Sequence, residues 1–498
     1  MTMKSLLHSL VKALKSPGAR REIHAAAQTA TTAHTEPLGY TISQKERRLD
    51  RWLDWTVSVA GSPLVFTLIC GLLLVWALLG IRFHADATWQ VLISDVQAIV
   101  SYIFDSFLMR QQLNGYEQRV RIAVELQSRA ATHKRILESL AVRGDEKEKS
   151  QDIQNVCIST DASFDDELPA ETFFGALSTL LAKVLGHAVS LALYWLGILV
   201  WLVFGHHCSW SNAWQLYINS ATSALMLFVF SFLANIHERH AEYEARALDA
   251  IYRLDSTLEC TLRTYDNNHS SDKEKHNQIL PNPVMTSHPP KVNILQRAIN
   301  YYAEVVGTLT GILLLVVMIV VWIIIGPAMS FDSNWWLIIG TYAGLVGMHD
   351  GFVLRNVQEV MHRHEESEYS LVKAQDQHLL QLVERSRTAL TTSSIVTSTT
   401  TGSNAGNRPG SPAISLDVIC AHEITVLAGL FLIIGLLVGA GVMHWNLTGQ
   451  LLCNVPPSII ETFFMILLIS AHSHADEKRR ADLRTIYRTR LHLLGQSD

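Results

Sequence analysis

Residues 61–89 read GSPLVFTLICGLLLVWALLGIRFHADATW, and their first 20 residues, Gly61 to Gly80, carry no charge. A helix needs about 20 such residues to cross roughly 30 Å of hydrocarbon. Two more stretches share the spacing: 186–214, GHAVSLALYWLGILVWLVFGHHCSWSNAW, and 307–335, GTLTGILLLVVMIVVWIIIGPAMSFDSNW. All three obey G-x14-W-x3-G-x8-W. Interfacial tryptophans and loop glycines alone would not fix every distance, so the pattern is an internal repeat. A fourth copy begins at Ala421 and keeps the lengths, with Leu436, Ala440 and Gly449 in the motif positions.

In each copy a short loop leads to a second, more polar span, at 89–109, 214–237, 335–355 and 456–471. That span runs on into a charged helical arm, at 115–142, 237–254, 358–386 and 472–494. The expected fold is all-α and polytopic, with about eight transmembrane helices as four tandem two-helix hairpins carrying long cytosolic helical extensions. The short loops hold almost no Lys or Arg whereas arms and termini hold many, which places arms and both termini in the cytosol. With an even number of spans per copy, the copies run parallel, related by an axis along the membrane normal.

Residues 1–50 read as a cytosolic tail, and 51–143, 172–265, 292–390 and 414–498 as hairpins with their arms. The linkers 144–171 (acidic), 266–291 (polar) and 391–413 (Ser/Thr/Gly-rich) read as disordered and open to phosphorylation.

Composition removes several function classes. The 498 residues are 49% hydrophobic with mean hydropathy +0.18 and net charge −5, which excludes a disordered chain, a soluble enzyme and a general nucleic-acid binder. Six scattered cysteines without a CxxC give neither a disulfide framework nor a thiolate metal site. No Walker A motif is present for an ATP-driven pump, and no TVGYG filter.

Because the copies are gapless, the second helices can be compared by offset from Trp89, Trp214, Trp335 and Gly449. Offset 5 gives Ser94, Asn219, Gly340 and Asn454; offset 12 gives Ser101 and Glu461; offsets 15 and 16 give Asp350 and Asp105. Offset 23 gives Gln112, His237, Gln358 and His472. At ~100° per residue these positions share one stripe. Offset 19, on the same stripe, is leucine in all four copies (Leu108, Leu233, Leu354, Leu468), which suits a hydrophobic constriction.

Carboxylates in a membrane are costly and mark ion paths or buried partners. Asp105, Asp350 and Glu461, brought to nearly one depth on three helices, would repel unless a cation sat between them. Oxygen ligands with one or two imidazoles suit Fe²⁺, Mn²⁺ or Zn²⁺. The competing reading makes each carboxylate a structural hydrogen-bond acceptor for a neighbouring helix. Asp95 lies off the stripe nearer the outer surface, as a helper at the mouth or an interhelical partner. His237 and His472 stand at the inner helix ends, and His349 points away from the stripe. Pro456 and Pro457 are expected to break or start the last span and free carbonyls as ligands.

The first hairpin, DRWLDWTVSVAGSPLVF…LLLVWALLG…TWQVLISDVQAIVSYIFDSFLMRQQLN, resembles the low-affinity iron permease family, best known from fungi. The AGSP start, the W-x3-G and the TWQ…SD run carry the likeness, most strongly over residues 51–118. WQLYINSATSALMLFVFSFLANIHER in the second hairpin resembles it again. The resemblance implies a plasma-membrane importer of Fe²⁺ with low affinity, tolerant of Zn²⁺ and Cu²⁺, and supplies no ligand set for these positions. Divalent-metal uptake through a carboxylate-lined path is therefore the leading reading. Its partners are the lipid bilayer and the ion cargo, with no permanently bound cofactor; a homo-oligomer is left open. A monovalent-cation or proton-coupled channel is the second reading. The third is a membrane scaffold or sensor acting through its arms, although a scaffold has no need of polar residues aligned through the membrane.

Overall fold

The computed structural model describes residues 22–30, 38–41, 45, 47–83, 87–143, 165, 167–268, 280–331, 333–391 and 418–494. Most of the three linkers lies outside these residues. A short helix, an apolar helix and a long helix follow one another as α1 (Arg48–Ala60), α2 (Pro63–Phe83) and α3 (Ala87–Arg143). The succession returns as α4 (Phe173–Leu185), α5 (Ala188–Gly205) and α6 (Asn212–Asn268), then as α7 (Ile294–Val306), α8 (Leu309–Ile325) and α9 (Ser333–Thr391). Helices α10 (Glu423–Val442) and α11 (Leu447–Leu493) come last. Seven helices among the described residues are long and apolar enough to cross a membrane: α2, α3, α5, α6, α8, α10 and α11. The expected eighth span corresponds to the first half of α9. Leu64, Leu72 and Ile81 of α2 and Val203 of α5 are exposed, an apolar surface that needs lipid to cover it.

The repeated glycine ends the short helix rather than opening the span: Gly61, Gly186 and Gly307 are the C-caps of α1, α4 and α7. A Cβ would lie 2.7 Å from the Ala234 carbonyl oxygen of α6 at Gly61, and 2.8 Å from Ser470 Cα of α11 at Gly186. At Gly307 it would lie 3.2 Å from the Arg110 nitrogen of α3. Each break therefore presses on a neighbouring long helix, at Gly61 and Gly186 at a distance only glycine allows. A donor at offset 21 secures three of the breaks. Asn235 Nδ2 donates to the Gly61 carbonyl at 3.0 Å, Arg110 Nη1 to Gly307 at 3.5 Å, and Asn356 Nδ2 to Ala421 at 2.7 Å.

The paired tryptophans stack face to face. Ring centroids are 4.4 Å apart for Trp76 and Trp89, 3.9 Å for Trp201 and Trp214, and 4.2 Å for Trp322 and Trp335. Within each pair, each indole N–H donates to the other residue's carbonyl, at 2.8–3.4 Å overall. Four fixed atoms per pair explain why the spacing is invariant. The glycine four residues on leaves room: a Cβ at Gly80 would sit 2.5 Å from the Trp89 ring. In the last unit the Cys453 thiol donates to the Leu436 carbonyl at 3.4 Å instead. Trp335 is 4% exposed, so Trp335→Ala should cost about 3–5 kcal/mol, read as a lower melting temperature in detergent.

The four long helices form a ring, with α3 and α11 each packed against both α6 and α9. The cyclic order is α3–α6–α11–α9. Their apolar halves surround an axis, and their charged halves continue as a parallel four-helix arm bundle. Core layers recur at seven-residue intervals, as in a coiled coil. Leu126, Ile251, Val372 and Ile486, all at offset 37, are at most 1% exposed. Seven residues nearer the membrane, Arg119 meets Glu365 at 2.9 Å, and Arg479 reaches Glu365 at 3.4 Å and Glu244 at 3.6 Å. Burial works against the charge on Glu365, but Arg119 and Arg479 outweigh it and hold this carboxyl below its ordinary range. Four residues beyond the apolar layer, Arg490 of α11 bonds Asp255 of α6, Asp376 of α9 at 3.1 Å and the Leu126 carbonyl of α3 at 3.4 Å.

Two segments read as tail and linker hold a structure of their own. Strand β1 (Ile23–Ala25) pairs antiparallel with β2 (Met285–Ser287), Ile23 opposite Ser287. The pair is tied to the α3 arm, where Ser128 Oγ donates to the Pro283 carbonyl at 2.6 Å and Thr132 Oγ1 to Asn282 Oδ1 at 2.7 Å.

Candidate ion path

The loop-end half of the ring encloses a polar cavity of about 20 Å³, lined from all four long helices. On this measure about 10–15 Å³ holds one water. Ser94, Asp95 and Gln97 come from α3, Asn219 from α6, Gly340 and Gly344 from α9, and Asn454, Ser458 and Glu461 from α11. Stripe residues also join neighbouring helices: Asn219 Nδ2 donates to Ser94 Oγ at 2.7 Å, Ser223 Oγ to Gln97 Oε1 at 3.2 Å, and Thr222 and Ser458 hydroxyls lie 3.0 Å apart. These bonds hold the walls together, while Asp95, 6% exposed, faces the cavity with Glu461.

Glycine spacing on α9 sets the position of Glu461. Gly340, Gly344, Gly347 and Gly351 lie along one face of α9, and a Cβ at each would meet an α11 residue. A Cβ at Gly347 would lie 2.5 Å from Glu461 Oε1, so the absent side chain is what admits the carboxylate. Small residues let membrane helices approach closely in this way. Pro456 and Pro457 lie inside α11, which runs through them unbroken. The expectation of a break or helix start is thus corrected: packing on the glycine face holds the helix together, and each proline only removes a backbone donor. The Cys453 carbonyl, four residues before Pro457, faces Gly344 at the cavity wall.

Asp105, Asp350 and Glu461 are all 0% exposed. Neither oxygen of Asp105 or Glu461 has a hydrogen-bond partner among the described residues. Asp350 Oδ1 accepts from the Tyr302 hydroxyl of α7 at 2.7 Å, and Oδ2 has no partner. Asp105 stands within electrostatic reach of Asp350 and Glu461, and Glu461 of Asp350. The three are not level: Glu461 meets the Gly347 turn of α9, one turn (about 5 Å) before Asp350. Among the described residues no three His, Cys, Asp or Glu side chains are placed to hold one metal ion together. At the corresponding offsets α6 presents Met226, Val229 and Phe230, all buried.

Further along, Leu108, Leu233, Leu354 and Leu468 are at most 1% exposed, a closed apolar layer. Beyond it lie Gln112, His237, Gln358 and His472. The His237 and His472 rings stack with centroids 4.0 Å apart, and His237 Nε2 and both glutamine Oε1 atoms lack partners among the described residues. His349 lies elsewhere, edge-on to the Tyr302 ring at 4.9 Å. Two features that extend the arrangement lie outside the offsets compared above, the Tyr302 hydroxyl on Asp350 and the Arg119–Glu244–Glu365–Arg479 layer. The last sits at offset 30 in every helix, so the same comparison carried one more heptad would have found it.

The sequence pattern of the family described as low affinity iron permease matches residues 49–163, 174–267, 295–378 and 412–493. The chain is 36% identical over 444 residues to the low-affinity iron/zinc ion transport protein fet4 of Schizosaccharomyces pombe, covering 89% of this chain and 72% of that protein. It is 33% identical over 471 residues to a low-affinity Fe(2+) transport protein of Saccharomyces cerevisiae, covering 90% of this chain and 82% of that one. No solved structure matches. With the family pattern spread over every helical unit and two relatives aligned along most of their length, the chain belongs to the low affinity iron permease family.

Proposed function

We propose that this protein is a plasma-membrane permease for low-affinity uptake of divalent metal ions, chiefly Fe²⁺. In this reading eight spans form four tandem hairpins around one axis, with arms and termini in the cytosol by their Lys and Arg content. The observation that carries it is the set of three fully buried carboxylates around the axis, two of them without a hydrogen-bond partner among the described residues. A buried carboxylate left unpaired is too costly to serve packing alone. A divalent cation passing between them offsets that cost. The ion enters the cavity at Asp95, meets Glu461, then Asp350 and Asp105, crosses the leucine layer and reaches His237 and His472. An inside-negative potential supplies about 4–5 kcal/mol per 100 mV for a doubly charged ion. His349 stands as a flanking group on the Tyr302 side of Asp350.

The names of the two relatives support the cargo class, iron for both and zinc for one. Uptake of radioactive Fe²⁺ by the purified chain in liposomes, driven by a potassium diffusion potential, tests the reading. Gly347→Ala belongs in the same assay. Its methyl would displace the Glu461 carboxylate, so uptake should fall about tenfold with the protein still folded. Uptake equal to that of empty liposomes by the unaltered chain would refute the permease reading.

A further inference from the structure

The axis is closed on the arm side. Arg479, with a side chain 10% exposed, reaches Glu365 and Glu244, and Arg119 joins Glu365, so one layer carries charged groups from all four helices. Below it the Leu126, Ile251, Val372 and Ile486 layer is dry. Then Arg490, 1% exposed, occupies the centre and bonds to each of the other three helices. A cation continuing straight on would have to pass the guanidinium groups of Arg119, Arg479 and Arg490 and the apolar layer that separates the first two from the third. The cargo must leave the axis before offset 30.

The α6/α11 seam offers a polar way out at that level. Between α6 and α11, His237 stacks on His472, whose Nε2 lies 3.0 Å from His240 Nδ1. His240 Nδ1 is 3.4 Å from Asp476 Oδ1, and its Nε2 is 3.2 Å from Thr179 Oγ1 of α4. Thr179 in turn donates to Glu171 at 3.1 Å, and at this outer end of the seam Arg480 pairs with both Asp476 and Glu171, so that a leaving cation takes the place of its guanidinium on the two carboxylates. The groups form a continuous line from the buried His237 to the partly exposed Glu171 carboxylate. On the opposite side of the ring, the α3/α9 seam has Gln112, Gly115, Gln358 and Met361 at offsets 23 and 26, and Tyr116 and His362 at offset 27, with the Tyr116 hydroxyl 2.8 Å from His364 Nδ1. Neutral imidazole and carboxylate are ligands for borderline divalent cations. Because no three of them converge on one point, an ion would be handed on rather than held.

We infer that divalent cargo leaves the axis sideways through the α6/α11 seam, past His237, His472, His240 and Asp476, and never enters the arm bundle. This inference rests on the carboxylate path proposed above. The test is uptake of radioactive Fe²⁺ by the full chain in liposomes, with folding followed by gel filtration. His240→Gln with His472→Gln, and separately Thr179→Trp to fill the seam's outer end, should each lower uptake about tenfold. Replacing the buried charges by apolar residues (Arg490→Met, Asp255→Leu, Asp376→Leu) should leave uptake per folded protein unchanged. Should the histidine pair fail to fold, Thr179→Trp decides. If Asp105→Asn stops uptake while Thr179→Trp transports normally, the lateral exit is wrong and the carboxylate path stands. If Asp105→Asn transports normally, the path itself is wrong. A change in uptake on altering the Arg490 cluster also overturns the inference, since it would put the cargo in the arm bundle.

Discussion

Glu461→Ala should reduce Fe²⁺ uptake by on the order of 10²-fold while the protein still reaches the membrane. Glu461 is the one acidic group at the inner end of the polar cavity that also feels a second buried carboxylate, Asp350. It makes no hydrogen bond to any described residue, so truncation breaks no structural contact. The cavity it leaves lies against Gly347, where removing a charge relieves desolvation instead of adding to it. Stability should therefore hold or rise while transport fails. Glu461→Gln separates shape from charge: if charge is what the ion needs, the amide is as inactive as alanine. Uptake by Glu461→Gln at the parent rate would show that the ion does not meet this carboxylate.

Arg490→Met should destabilise the protein by about 3–5 kcal/mol, the cost of leaving buried carboxylates without their cation. Asp255 is 0% exposed and Asp376 is 1% exposed, and both face Arg490 across the bundle. The guanidinium also bonds the α3 backbone, so its loss releases all four helices from one point. Replacing the two aspartates by leucine in the same chain should recover most of the loss, because an apolar core of similar volume carries no desolvation cost. Thermal melting of the three proteins in one detergent checks this. Equal melting temperatures for Arg490→Met and the parent would mean that the aspartates are neutral, or the site wet.

Much of this arrangement was legible because membrane helices repeat without gaps. Trp76, Trp201 and Trp322 sit at one distance from Trp89, Trp214 and Trp335 because each pair shares a ring stack and two hydrogen bonds. Comparing offsets then put Asp105, Asp350 and Glu461 on one stripe, and all three are buried. What stayed hidden depends on contacts between distant segments. Gly61 looks like the start of a span until Ala234 of α6 is seen 2.7 Å from where its Cβ would be. Ile23–Ala25 and Met285–Ser287 are three-residue strands that pair across most of the chain, with no local periodicity to reveal them. Pro456 and Pro457 read as a helix break because proline lacks a donor, yet tertiary packing carries α11 through them. The ring order cannot be read from any single helix.

That order, α3–α6–α11–α9, has a consequence for how the chain is made. Synthesis delivers α3 and α6 together as neighbours, but the next long helix, α9, takes a place diagonal to α6 and touches α3. Through most of translation one flank of α6 faces no protein partner. Thr222 waits for Ser458, and His237 and His240 wait for His472. Only α11 closes the ring. A ribosome that stops short of Leu447 leaves a polar flank open to lipid, a conspicuous target for membrane quality control. Helix α11 thus acts as the proofreader of the ring: a chain that has made it hides the flank, and one truncated before it displays it.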